Sequence, residues 1–301
     1  MLRLLCAASF VLMASGVALA EEVKLDKAPD GVKVSIGGNE FTTYRFDKSQ
    51  QKPYFFPVLA SDGASIARQL EKPEDHPHHK GIWCSIDEVN GIKFWAEKGK
   101  IENVSVEIVK AEGNPAQLKV VNHWLEDDGK PLLRETATVS IYANRLLDYD
   151  LEFTALDKPV TFGDTKEGMF GMRVANSLRG ASGGKISNAE GLTEEKNCWG
   201  KESKWVDYVG LVDGKTYGVA LFDDHRNFRK SRFHVRNYGL FTLSPFGQKA
   251  YTNDMLPENP LTLEPGQSIR LHYGIYIHDG DTQHGHVPAV YETFLKSKSS
   301  Q

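Results

Sequence analysis

Cysteine is scarce: three residues in 301, with Cys6 inside the apolar leader, so only Cys84 and Cys198 are available to the folded chain. A cysteine framework is therefore excluded as the source of stability. Two thiols permit one bridge or two separate, inert side chains, and the spacing does not decide between them. Beyond the leader there is no apolar run long enough for a transmembrane helix, because Lys, Glu or Asp interrupts each one. Charge of one sign is never concentrated. The formal net charge is −4, spread without blocks, and lacks both the basic stripe of a nucleic-acid binder and the basic amphipathic helix of a membrane-surface protein. Nor is there a phosphate-binding glycine loop, a dinucleotide fingerprint, a His-Glu-x-x-His zinc helix or a nucleophile elbow.

The leader is the first positive feature. Arg3, the apolar run Leu4 to Leu12 and the small-x-small triplet Ala18-Leu19-Ala20 read as a signal peptide over residues 1–20, cleaved after Ala20. Residues 21–301 are then expected as a single domain in a secreted or periplasmic protein.

Alternation with period two dominates that segment. It runs through 133–142, through Leu147, Tyr149, Leu151 and Phe153, and through Ile269, Leu271, Tyr273, Ile275 and Ile277. Gly37-Gly38-Asn39, Asp127-Asp128-Gly129, Asp213-Gly214 and Pro265-Gly266 fall between the runs as turns. About fifteen strands are expected. The fold class is all-β, a large antiparallel β-sandwich. One helix is predicted at the C-terminus, where Val287, Val290, Tyr291 and Phe294 recur at helical spacing. The segments 71–80, 181–204, 223–236 and 248–259 read as rim loops.

Chemistry-bearing residues gather in four places. Asp75-His76-Pro77-His78-His79-Lys80-Gly81 packs three imidazoles into four positions. If extended, it turns His76 and His78 to one side and His79 to the other, so that they bind a divalent metal or hold substrate hydroxyls. In 163–173, Glu167 and Arg173 would share a face across Gly171, as a tuned base beside a hydroxyl clamp. Trp205 and Asp207 alternate onto one side, an indole beside a carboxylate, as sugar rings require. His225 follows an apolar strand, while His234 and Arg236 alternate onto one face.

The segments 75–83, 163–168, 205–208 and 234–241 together resemble the PmoA-like family of bacterial proteins, often labelled "methane oxygenase PmoA". The label conflicts with a chain that has no membrane-spanning run after its leader. The resemblance implies a β-sandwich tied to carbohydrate metabolism, similar to the galactose-mutarotase-like supersandwich.

Taken together, the expectation is an exported carbohydrate-active enzyme, an epimerase, lyase or hydrolase, acting on a small carbohydrate ligand. His78, His79, Glu167 and His234 are the acid/base candidates. His76, Arg173, Trp205, Asp207, His225 and Arg236 are the substrate-binding candidates. The sequence specifies no cofactor, and a divalent metal, if used, would take His76, His78 and His79. A non-catalytic carbohydrate-binding protein is the alternative. Neither nucleic-acid partners nor membrane insertion is expected.

Overall fold

A computed structural model describes residues 22–297; the expected leader lies outside the described residues. Strands β1 (Val23–Ala28), β2 (Gly31–Ile36), β3 (Asn39–Arg45), β4 (Tyr54–Val58) and β5 (Ile82–Cys84) form one side of a sheet in chain order. The chain then crosses to a second sheet through β6 (Ile101–Lys110), touches the first again with β7 (Glu112–Gly113), and returns through β8 (Ala116–Leu125), β9 (Pro131–Ile141) and β10 (Leu146–Ala155). After β11 (Val160–Phe162), β12 (Phe170–Arg173) rejoins the first sheet.

β13 (Lys185–Asn188), helix α1 (Glu195–Cys198), β14 (Trp205–Val212) and β15 (Lys215–Asp223) follow, then the hairpin β16 (Arg232–Val235) and β17 (Leu240–Ser244). Helix α2 (Gln248–Tyr251), β18 (Leu261–Leu263), β19 (Ser268–Asp279) and α3 (Val287–Ser297) complete the order. The result is a nine-stranded sheet, β16-β17-β12-β5-β4-β3-β2-β1-β7, packed on an eight-stranded sheet, β13-β14-β15-β19-β10-β9-β8-β6. All the pairings are antiparallel, as the alternation demands. β11 and β18 make a small separate ladder.

Inward-facing residues of the two sheets meet in one continuous core. Phe55 of β4 lies edge-on to Tyr149 of β10 at 6.0 Å, and Phe170 of β12 stacks on Tyr273 of β19 at 5.7 Å. The outer face of the eight-stranded sheet is covered by α3, whose Val287, Tyr291 and Phe294 bury Trp205, Phe222 and Tyr276. On the outer face of the nine-stranded sheet, Tyr54, Trp83 and Leu240 form a smaller cluster with Trp95. Burial of this kind contributes about 25 cal/mol per Å² of apolar area.

The terminal helix and the three longest alternating runs fall where the periodicity places them. The expected rim loops are more structured than that. Segment 181–204 contains β13 and α1, 223–236 contains β16, and 248–259 contains α2. Each of these elements is four residues long, too short for periodicity to register. Cys84 and Cys198 are both free, and burial raises both thiols, Cys198 to about 11. Among the described residues no helix is long and apolar enough to cross a membrane.

Candidate functional site

The pleat selects what faces outward from the nine-stranded sheet. On β12, Phe170 and Met172 enter the core and Arg173 points out; on β16, Phe233 and Val235 enter and His234 points out; on β5, Ile82 enters and Trp83 points out. Antiparallel pairing of β16 with β17, β17 with β12 and β12 with β5 brings the three outward residues onto one surface. The loop at 71–81 and the β16–β17 turn then fold over it.

The imidazole run is a turn rather than an extended strand. His76 takes a φ of 40°, and the His79 amide donates to the His76 carbonyl at 3.0 Å. His76 and His79 therefore stack face to face instead of diverging, with centroids 4.7 Å apart and planes 6° apart. Tyr238 continues the stack beyond His76 at 5.4 Å and 2°, and Trp83 extends it beyond His79 at 5.4 Å and 17°. A column of four rings results, Tyr238-His76-His79-Trp83, with the Lys52 ammonium 5.6 Å from the last ring. His78 stands edge-on to His79 at 4.5 Å and to Trp95 at 6.3 Å.

This arrangement corrects the metal expectation. Imidazole lone pairs lie in the ring plane, so the parallel rings of His76 and His79 cannot aim them at one ion. Among the described residues no group of three His, Cys, Asp or Glu side chains is disposed to hold a metal.

Ionic contacts lock the loop from both ends. Asp75 receives Arg68 at 2.6 Å and both oxygens accept from Arg173 Nη2, at 3.0 and 3.1 Å. Arg68 also donates to the carbonyls of Asp75, His76 and His79. At the other end, buried Lys52 donates to the His78 carbonyl and to Glu97, which Lys80 also contacts. Burial lowers His78 to about 4, and it lowers His79 further, so both rings are neutral near pH 7. Arg173 donates to His79 Nδ1 at 3.3 Å; because a guanidinium only donates, Nδ1 accepts and Nε2 carries the proton. That Nε2–H is buried without a partner.

Glu167 lies in the loop before β12, not on the strand, and Arg173 is committed to Asp75 rather than to it. The expected Glu167–Arg173 pair is therefore replaced by another. Glu167 Oε2 is 3.9 Å from His234 Nδ1. His234 Nδ1 lies 2.9 Å from the Lys166 carbonyl, which can only accept, so Nδ1 is protonated and Nε2 keeps its lone pair. Burial lowers His234 to about 4. Glu167 is about one-third exposed, and burial raises its pKa, with Asp87 adding to the rise while Lys166, His76 and Arg236 oppose it.

Around this pair, Trp199 is edge-on to His234 at 6.1 Å, and Arg236 lies 6.0 Å from Trp199 and 5.9 Å from Tyr238. Burial raises the Tyr238 phenol, so it keeps its proton. Glu195 of α1 holds Arg236 at 3.2 Å.

Seven buried side-chain nitrogens beneath and beside this surface lack a partner: Arg68 Nε, His79 Nε2, Trp83 Nε1, Arg173 Nε, Arg179 Nε, Trp199 Nε1 and Arg236 Nε. They are most of the eleven such atoms among the described residues, and by the assignments above all seven are N–H donors. Unsatisfied buried donors are rare in native proteins, so this concentration sets the packing under the site apart from the rest of the described residues.

Three expected members lie elsewhere. Trp205 and Asp207 do share a face of β14, but it is the outer face of the eight-stranded sheet. There Trp205 packs under α3, and Asp207 is sealed between His278 Nε2 at 3.1 Å and Thr282 Oγ1 at 2.6 Å. His225 is exposed in the turn after β15, where its neighbour Arg226 donates to the Leu295 carbonyl of α3. Alternation placed these side chains correctly within their strands, but it carries no information about which sheet a strand joins. Of the residues that reasoning from sequence missed, Arg68 and Trp199 carry no local signal and join the site only through tertiary packing, while Tyr238 lies in the 234–241 segment already singled out. Its signal was the Asn237-Tyr238-Gly239 turn beside His234.

Residues 31–292 match the model of a family described as "Family of unknown function (DUF6807)". Among curated proteins nothing matches. Among solved structures the chain is similar to a galactose 1-epimerase from Lactobacillus acidophilus NCFM, at 10% identity and TM-score 0.41, covering 86% of this chain and 98% of that one. It is also similar to the alpha-N-acetylgalactosaminidase NagBb from Bifidobacterium bifidum (9% identity, TM-score 0.36, 92% of this chain and 37% of that one). A polysaccharide lyase aligns at 12% identity and TM-score 0.35, over 88% of this chain and 33% of that one. The chain spans only about a third of the length of the last two. Likenesses this distant transfer no activity.

Proposed function

The chain belongs to DUF6807, a family of unknown function; its activity has to be argued from the site, and we propose that it is an exported carbohydrate-active enzyme that moves a proton at Glu167. The observation that carries this reading is the Glu167–His234 pair, 3.9 Å apart, beside the rings of Trp199 and Tyr238 and the Arg236 guanidinium. A carboxylate whose pKa is raised by burial, yet which remains partly exposed, is suited to general-base work. Neutral His234, with Nδ1 fixed on the Lys166 carbonyl, offers Nε2 as the second proton-transfer atom.

Arg236 and the Tyr238 phenol would donate to oxygen as negative charge develops there. Trp199 and Tyr238 give ring surface for the C–H faces of a sugar, while His76, stacked on both sides, offers only its edge. His78 and His79 are better read as parts of the scaffold under these groups, since their rings pack in the column and against Trp95. Epimerisation, elimination and hydrolysis all draw on such paired groups.

The test is turnover of a panel of unmodified and keto-oxidised glycosides by the purified chain, compared with Glu167→Gln. Turnover in the parent that falls on the order of a hundredfold or more in the variant supports the reading. Sugar binding without any turnover in the parent would favour the carbohydrate-binding alternative.

A further inference from the structure

A polar cavity of about 380 Å³ opens on the far side of the 71–81 loop, with Arg68, Arg173 and Arg179 in its wall. Arg68 and Arg173 are 5% and 1% exposed, and they share one carboxylate, Asp75. His79, between them, is neutral and adds no negative charge. Two buried cations therefore face a single anion, an imbalance that low-dielectric surroundings make costly. The third arginine has no protein partner at all: no hydrogen bond or ion pair engages the Arg179 guanidinium among the described residues, and its Nε is buried. All three Nε–H groups in this wall are unsatisfied donors. Glu71, Glu74 and Asp213 stand at the rim, but they are exposed, where solvent screens them far more than the buried pair.

We propose that this cavity is a subsite for a uronate, its carboxylate taken by Arg179 and its hydroxyls by the side chains of Asn176 and Ser177. The volume lies in the range of small-ligand sites and exceeds what a bare carboxylate fills. Asn176 and Ser177 line the same cavity, are exposed, and have no side-chain hydrogen bond of their own among the described residues. Asp75 and Arg173 belong both to this wall and to the floor beneath His76 and Tyr238, so the subsite adjoins the proposed reaction centre. The inference rests on the carbohydrate reading above and narrows its substrates to acidic sugars.

Calorimetric titration of the full chain with glucuronate, glucose, acetate and inorganic phosphate tests it, with Arg179→Gln and Arg179→Lys as variants and thermal melts to confirm folding. Glucuronate should bind at least about tenfold more tightly than glucose or acetate. Arg179→Gln should erase that preference, Arg179→Lys should restore part of it, and added salt should weaken it. Equal affinity for glucose and glucuronate, or an unchanged glucuronate affinity in Arg179→Gln, overturns the subsite. Phosphate binding more tightly than glucuronate overturns the carboxylate assignment. Because these readouts are of binding, they fail independently of turnover at Glu167: a chain that processes neutral glycosides without binding glucuronate loses the subsite and keeps the reaction centre.

Discussion

Glu167 Oε2 faces His234 Nδ1 across 3.9 Å, while the Nδ1 proton is given to the Lys166 carbonyl and not to the carboxylate. The two groups are thus neighbours without neutralising each other. Glu167 keeps a free carboxylate whose pKa burial raises, and His234, lowered to about 4, stays neutral. The acid limb of kcat/KM should therefore lie above the ordinary glutamate value and belong to Glu167, with activity lost as the carboxylate protonates. Glu167→Gln should abolish that limb. A limb that persists unchanged in the variant, measured between pH 4 and 8, would assign it to another group.

Asp75 is the one anion between Arg68 and Arg173, and its loss should be felt throughout the loop. Asp75→Asn leaves two buried guanidiniums without a counter-charge. The partial exposure of Asp75 tempers the cost to about 2 kcal/mol. Hydrogen bonds and charge from Arg173 and His76 outweigh burial and lower the Asp75 pKa. The parent therefore holds this contribution above the unfolded carboxylate value and loses it as pH falls through the folded one. Urea denaturation of both proteins at pH 7 and pH 3 checks this. The gap between them should shrink at the lower pH; a constant gap would count against the ion pair as its cause.

His272 is a structural counterpart on the opposite sheet. Its Nδ1 meets Asp224 and its Nε2 meets Asp148, both at 2.7 Å, and its ring stacks on Phe294 of α3 at 4.1 Å. Burial alone would lower it, but the two carboxylates prevail and raise its pKa. Its contribution is complete below about pH 6.5 and is lost as pH rises through the raised folded value. His272→Ala removes the cation between the two carboxylates; Arg226 still pairs Asp224, so Asp148 is the one left without a counter-charge, at a cost of about 3 kcal/mol near pH 6. Melting temperatures of parent and variant should converge toward alkaline pH; parallel curves would refute the charged form.

Gly81 ends the imidazole loop at a φ of 52°, where a Cβ would overlap the Phe55 carbonyl oxygen of β4. Both the dihedral and the contact forbid a side chain. Gly81→Ala should cost about 3 kcal/mol or more, read as a lowered urea midpoint. A loss below about 0.5 kcal/mol, the range of ordinary surface changes, would mean that the loop relaxes freely and is not the rigid support described.

The sandwich was legible because β9, β10 and β19 carry strict alternation over ten to twelve residues, and α3 carries helical spacing. The site was legible only where its residues cluster in sequence. His76, His78, His79, Glu167, Arg173, His234 and Arg236 do come to one side of the molecule. Trp205 and Asp207 do not, because β14 pairs with β13 and β15 in the other sheet, a choice that local pattern does not encode. The stacking of His76 on His79 was equally hidden. It depends on a positive φ at a non-glycine residue, which the rings of Tyr238 and Trp83 and the grip of Arg68 on three loop carbonyls hold in place.

The most direct test of the reaction centre is a double-mutant cycle on turnover of whichever glycoside the parent processes, using Glu167→Gln, His234→Asn and the combination. Groups that act on one proton-transfer step are strongly non-additive. The account predicts that the double variant is no slower than the worse single variant, with both singles reduced on the order of a hundredfold or more. Small, independent losses that simply multiply in the double variant would contradict it.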